Sequence, residues 1–328
     1  WIVSLLSFFF SAVLDNLATA IVMAALLPKL IKDKDDIWFF GGMVILACNA
    51  GGAWSPIGDI TTIMLWLDGQ VTLKIIPAIF IPSIVCMMAP LIYLSFTIKG
   101  NVRKPSVKSP IEHTINPTTK FERNFVFFGG VAGLLFVPLF KITTHLPPYM
   151  GVMLSLGILW IATELLHRAK NIEEKSSLTV IGVLRKIDTP TIFFFMGIIL
   201  AVSSLQSTGV LGSLADYLEE TIGDIYMINI LIGFMSAIVD NVPLVAGAQG
   251  MYEVVAEGAY AQDGAFWQFL AYCAGTGGSM LIIGSAAGVA VMGILKIDFI
   301  WYLKRITLLA AFGYICGALA YIGIQELL

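Results

Sequence analysis

The sequence predicts an all-α polytopic membrane protein built from inverted repeats, with re-entrant hairpins and broken transmembrane helices. Three observations predict it. The 328 residues are 58% hydrophobic and only 12% charged, whereas a soluble domain carries about 25% charged residues. Several apolar runs reach the roughly 17–25 residues that span a bilayer, and they do not alternate as barrel strands do. One polar string also occurs twice inside such runs, as "SAVLDN" at 11–16 and "SAIVDN" at 236–241.

Taken in order, residues 1–30 are apolar around a polar break at Asp15-Asn16 and are expected to form a hairpin. Residues 37–67 form a long stretch interrupted by "NAGGAWSPIGD" (49–59), and a plain span covers 71–98. Segment 99–123 carries Lys99, Arg103, Lys104, Lys108, Lys120 and Arg123. Spans follow at 124–141, 148–166 and 190–207, and the second of these leads into a basic segment, 168–187, with Arg168, Lys170, Lys175, Arg185 and Lys186. The second Asp-Asn string lies in 226–251. A second interrupted stretch, 265–295, is broken by "GTGGSMLIIGS" (275–285), and a last span covers 299–325.

Short loops rich in Lys and Arg stay on the cytoplasmic side, so 99–123 and 168–187 are expected inside. Segments 208–225 and 252–264 carry acids and no base, and are expected outside. Three spans from residue 124 leave the chain outside at 208–225. It is still outside at 252–264, so 226–251 enters and leaves by one face, with Asp240-Asn241 near its tip. In the first half, 71–98 runs inward, 37–67 outward, and 1–30 mirrors the later hairpin from inside. The expected division is a first repeat (1–98), a cytoplasmic basic linker (99–123) and a second repeat (124–328) that opens with three scaffold spans. The repeats also agree in spacing: Asp15 precedes Gly58 by 43 residues and Asp240 precedes Gly284 by 44. Because three spans precede the second hairpin and none precedes the first, about three further spans are expected before Trp1.

An ionised Asp in hydrocarbon costs roughly 2.5–3.5 kcal/mol or more and is tolerated where it faces a cavity with a ligand. Asp15 and Asp240 are therefore the primary candidates, although each could instead cap the hairpin's second helix. Asn16 and Asn241 offer carbonyl oxygens or stitch the tips. Ser11 and Ser236 lie one helical turn before the acids, where they either approach the site or bond back to their own helix. Pro243 suits the first turn of the second hairpin helix. The glycines at 51, 52, 58, 277, 278 and 284 let each broken helix unwind, exposing carbonyls and half-helix ends of the kind that bind ions in transporters. Asn49, Asp59, Thr61 and Thr62 add oxygens in the first break. Thr276, Ser279 and Ser285 do so in the second, without a carboxylate. Acids, amides and hydroxyls make a hard-oxygen site that suits Na⁺, Li⁺ or H⁺ better than a soft metal. A carboxyl can hold a proton or a cation but not both, which is the simplest basis for exchange.

Other classes find less support. The net charge of −3 carries no nucleic-acid signal. Cys48, Cys86, Cys273 and Cys316 lie in or beside apolar runs without metal spacing, and His113, His145 and His167 lie in or near loops. No cofactor is expected beyond the transported ions. A Na⁺-coupled anion carrier would need helix N-termini and hydroxyls at the site with few uncompensated acids, and no Lys or Arg is available near the tips to neutralise an anion. An intramembrane aspartyl enzyme would not require an inverted repeat.

The strings "SAVLDN", "NAGGAWSPIGDITT", "SAIVDNVP" and "GTGGSMLIIGSAAG", with "DTPTIFFFMGIIL" at 188–200, resemble the NhaD family of sodium/proton antiporters within the ion transporter superfamily. The resemblance covers most of the chain. It implies a multi-pass inner (plasma) membrane carrier, commonly a homodimer, whose hairpins and broken helices form a mobile transport domain with elevator-like movement. Relatives in the superfamily move dicarboxylates, citrate or arsenite. The dicarboxylate carriers hold a Ser-Asn-Thr string at the tips, where this chain has Asp-Asn. The expected activity is Na⁺ (or Li⁺)/H⁺ exchange, with Asp15, Asn16, Asn49, Asp59, Thr61, Thr62, Asp240, Asn241, Ser279 and Ser285 as the site and a Na⁺-coupled anion carrier as the rival.

Overall fold

The structure is a computed structural model, in which residues 1–98, 100, 102–103, 118–144, 146–168, 170–171, 178–185 and 189–327 are described. Lys99, Lys104, Lys108, Lys175 and Lys186 of the basic segments, with His113 and His145, lie outside the described residues.

Among the described residues the chain forms sixteen helices and no β-strand, with one isolated bridge between Val255 and Ala261. The first repeat holds α1 (Ile2–Leu14), α2 (Asn16–Leu30), α3 (Lys34–Ala53), α4 (Ile60–Leu67) and α5 (Ile75–Thr97). Then come α6 (Lys120–Thr144), α7 (Pro148–Leu166), α8 (Val180–Leu184), α9 (Thr189–Ser207) and α10 (Val210–Thr221). The second hairpin is α11 (Ile225–Ser236) and α12 (Asn241–Met251). The remainder is α13 (Ala265–Gly277), α14 (Ala286–Leu295), α15 (Phe299–Arg305) and α16 (Thr307–Leu327). Among the described residues five helices are long and apolar enough to cross a membrane, or up to seven spans if each of two bent pairs counts as one. The chain is a multi-pass membrane protein.

Two compact units are present. One combines Trp1–Ser106 with Gly197–Leu328, and the other is Val107–Met196. In the second unit α6 and α7 pack closely, with Ser155 Oγ donating to the Gly133 carbonyl at 3.1 Å and Lys170 paired with Glu122 at 2.6 Å.

In the first unit, α3 and α13 form the core. Gly41 to Ala53 and Phe266 to Gly277 are buried without interruption, so neither helix shows an amphipathic stripe. The hairpins flank them. Ser236 Oγ donates to the Ala274 carbonyl and Asn229 Nδ2 to the Phe266 carbonyl. These partners are 38 and 37 residues apart, a nearly constant offset that makes α11 parallel to α13. Ser11 Oγ reaches the Cys48 carbonyl at the same offset of 37 in the first copy. After the tip, α2 starts beside the break that follows α3, where Asn16 N donates to the Gly58 carbonyl at 3.0 Å. It ends four residues before α3 begins, so α2 runs antiparallel to α3 and α1–α2 is a hairpin. Both tip serines bond a neighbouring helix, neither their own helix nor the site.

The two broken helices run in opposite directions. The turn after α4 meets the loop that leads into α13, through Thr72 and Asp263 (2.7 Å) and through Gln262 Nε2 and the Gly69 carbonyl (2.7 Å). The end of α14 meets the start of α3, where Trp38 Nε1 donates to the Leu295 carbonyl at 3.0 Å. Each broken helix therefore ends where the other begins, the arrangement of an inverted repeat.

Two segments differ from expectation. Residues 208–225, expected as a loop, hold α10, which buries Leu211 and Ala215 and turns Asp216, Glu219 and Glu220 outward. Gly209, at φ 77°, lets the chain bend 73° into it. The last span starts at Thr307 rather than 299. Lys304 and Arg305 are exposed at the end of α15, which bends 116° from α14. Two cations disfavour hydrocarbon, so the crossing helix begins after them.

Candidate functional site

The hairpin tips and both breaks converge on one polar cluster inside the first unit. Four half-helices end near it (α1, α3, α11, α13) and four begin near it (α2, α4, α12, α14). The beginnings carry positive partial charge, and acids stand at three of them. Asp59 caps α4, its Oδ1 accepting from Thr61 N at 3.1 Å. Asp15 caps α2, its Oδ1 accepting from Leu17 N at 3.1 Å. Asp240 precedes α12 without a side-chain cap bond. At the fourth, Ser285 Oγ accepts from Gly288 N at 3.1 Å.

Asp59 is the hub. Its Oδ2 accepts from Asn16 Nδ2 at 2.6 Å and from Asn241 Nδ2 at 3.2 Å, so one buried carboxyl holds an amide from each hairpin. Asn16 Nδ2 also reaches Asn49 Oδ1 at 3.3 Å. Asn49 Nδ2 donates across to Ser279 Oγ (3.0 Å) and Ser285 Oγ (2.9 Å), joining the two breaks. Thr62 completes the cap on α4: its hydroxyl accepts from Asp59 N and donates to the Asp59 carbonyl.

The structure thus gathers Asn16, Asn49, Asp59, Asn241, Ser279 and Ser285 by direct contact. Thr61 adjoins Asp59 with its hydroxyl buried, and Asp240 Oδ1 is buried without a partner. Asp15 and Asp240, the primary candidates from sequence, are half-buried at the tips, within electrostatic reach of Asp59 rather than bonded to it. Asp15 sits at φ 78°, ψ 148°, a sparsely populated conformation of the kind held in place at functional sites. That turn sends Asn16, and not Asp15, into the cluster.

Sequence reasoning missed Tyr302. This buried residue of α15 donates its hydroxyl to the Ser279 carbonyl at 2.7 Å, fixing the second break beneath the cluster. A Tyr inside an apolar run carries no signal of such a role. Tyr302→Phe leaves that carbonyl without its donor, at a cost of about 1–3 kcal/mol. A lower thermal midpoint in detergent is the expected result, with fluorescence-monitored melting as the check.

A family model described as "Citrate transporter" matches residues 1–267. "Sodium/proton antiporter 1" of Arabidopsis thaliana is 45% identical over 100% of this chain, which spans 56% of that protein's length. "Sodium/proton antiporter 2" of the same plant is 42% identical over 99% of the chain and 76% of its own length. "Na(+)/H(+) antiporter NhaD" of Alkalimonas amylolytica is 32% identical over 89% of the chain and 62% of its own length. By these matches and by the paired Asp-Asn hairpins, the chain belongs to the NhaD-type sodium/proton antiporters of the ion transporter superfamily.

Proposed function

We propose that the protein exchanges Na⁺ or Li⁺ for H⁺ across an energised membrane, the cation and the proton competing for the carboxyls of Asp59, Asp15 and Asp240. The observation that carries this reading is the Asp59 carboxyl, held by an amide from each hairpin, with the buried hydroxyl of Thr61 next to it and an unpartnered oxygen on Asp240. Carboxylate, amide and hydroxyl oxygens suit a small hard cation, and the converging C-terminal ends of four half-helices add negative potential. Asn49, Thr62, Ser279 and Ser285 hold the frame in this reading. The division into repeats 1–98 and 124–328 around a basic linker, and assembly as a homodimer, belong to the same proposal.

A second reading, a Na⁺-coupled anion carrier, draws on the description of the matching family model and on the helix N-termini at the site. Against it, the acids at three of those N-termini already offset their positive potential. No Lys or Arg is buried among the described residues.

Inside-out vesicles carrying the full-length protein, with an imposed pH gradient read by a fluorescent dye, decide between them. NaCl and LiCl are expected to collapse the gradient and succinate to leave it. Asp15→Asn and Asp240→Asn are each expected to lower the rate by about 10- to 100-fold, the scale of losing one contact to a charged group. A response to the organic acid alone would refute the exchanger.

A further inference from the structure

We propose that Gly275, with Ala53 packed against it, determines which monovalent cation reaches Asp59. The inference rests on the exchanger reading and adds a selectivity residue to it.

Aligning the breaks on Gly51 with Gly277 and Gly58 with Gly284 pairs Asn49 with Gly275, Ala53 with Ser279, and Asp59 with Ser285. On one side of the cluster, Asn49 extends its amide to Ser279 and Ser285, at 3.0 and 2.9 Å. On the mirrored side the same three places hold Gly275, Ala53 and Asp59. A Cβ built on Gly275 stands 3.2 Å from Ala53 Cβ and 4.0 Å from Asp59 Oδ2. The mirror image of the Asn49 side chain thus aims at the Asp59 carboxylate, and the chain puts no side chain there.

The hairpin tips show the same broken symmetry. Asn16 bonds both Asn49 Oδ1 and Asp59. Its mirror mate Asn241 has no side chain at 275 to meet and turns to Asp59 instead. Side-chain donors therefore reach Oδ2 from the two hairpins, while on the side of Gly275 it faces a bare Cα and the Ala53 methyl.

Close packing of α3 on α13 would also call for a glycine at 275, since 3.2 Å is a tight methyl–methyl distance. That role concerns Ala53 alone and predicts nothing about ions. A role at Asp59 predicts that a methyl at 275 narrows the approach, disfavouring the larger cation more than the smaller. One methyl in a recognition pocket is worth about tenfold or more in discrimination.

The test uses the full-length protein in proteoliposomes, with apparent KM values for Na⁺ and Li⁺ taken from dye-reported proton movement. Gly275→Ala is expected to raise the Na⁺/Li⁺ ratio of KM about tenfold. The double variant Ala53→Gly/Gly275→Ala transfers the methyl from α3 to α13 and removes the tight contact, so it is expected to fold and to keep the raised ratio. A wild-type ratio in the double variant overturns the inference and leaves Gly275 a packing residue. A wild-type protein inert to both cations overturns the exchanger reading and this inference with it.

Discussion

Replacing Asp59 by asparagine is expected to abolish cation-driven proton movement while leaving the protein folded. Among the described residues Asp59 is the one buried acid, and its Oδ2 receives two amide donors. Asparagine keeps the size and the capping oxygen for Thr61 N, and Asn caps helices about as well as Asp. The helix start should therefore survive. The charge does not survive. With its oxygen on Thr61 N, the new side chain turns its own NH2 toward the amides of Asn16 and Asn241, so two donors lose their acceptor, and hydrogen bonds to charged groups are worth about 1.5–3 kcal/mol each. Losing the contact with the cation as well carries the expected fall past about 100-fold. The measurement is the initial rate of gradient collapse on adding NaCl, with the melting midpoint in detergent taken alongside. Asp59→Glu is a useful companion: it keeps the charge and displaces it by a methylene, so it should retain more activity than the asparagine variant. Near-native exchange by Asp59→Asn would remove this residue from the centre of the mechanism.

The second large effect falls on folding. Gly51→Val and its repeat counterpart Gly277→Val are expected to yield little folded protein. A Cβ on Gly51 would overlap the carbonyl of Phe8 in α1, and a Cβ on Gly277 would overlap the carbonyl of Gly233 in α11. Both obstacles are backbone, so no rotamer change relieves them and the hairpin arm must move off the broken helix. Overpacked cores lose roughly 1–3 kcal/mol when side chains can yield; here they cannot, and the bulkier Val makes the displacement larger. Moving the arm also pulls Ser11 from the Cys48 carbonyl, or Ser236 from that of Ala274. Size-exclusion profiles of the two variants against wild type check this, with aggregation or loss of the monodisperse peak as the expected outcome. A well-folded Gly51→Val protein would mean that α1 does not sit against α3 as described.

Much of this architecture is written in the amino-acid order. The apolar runs mark the membrane helices, the charge parity of the loops forces 226–251 to turn back, and the twin strings with their breaks reveal the repeat. The centre of the site was harder to read. Repetition drew attention to Asp15 and Asp240, because each has a counterpart. Asp59 has none, since Ser285 stands in its mirror place, so the very asymmetry that isolates the charge hid its rank. Which member of an Asp-Asn pair faces inward depends on the turn that carries it, and the positive φ of Asp15 is not a property of composition. Tyr302 and Asn49 act across breaks from distant parts of the chain, and no local pattern announces such reach. The helix at 210–221 was masked by its acids, which read as a loop until Leu211 and Ala215 are seen to share a buried side.

The contact between Asn241 and Asp59 joins groups 182 residues apart, and this bears on how the protein is made. A ribosome adding roughly 5–20 residues per second takes about ten to forty seconds to cover that distance. Throughout the delay, the nascent first half has its buried Asp59 bonded to Thr61 N and Asn16 but lacks the amide of Asn241. Completion of the polar cluster therefore comes late in synthesis, since a chain that stops before Asn241 lacks one of the two amides on Asp59.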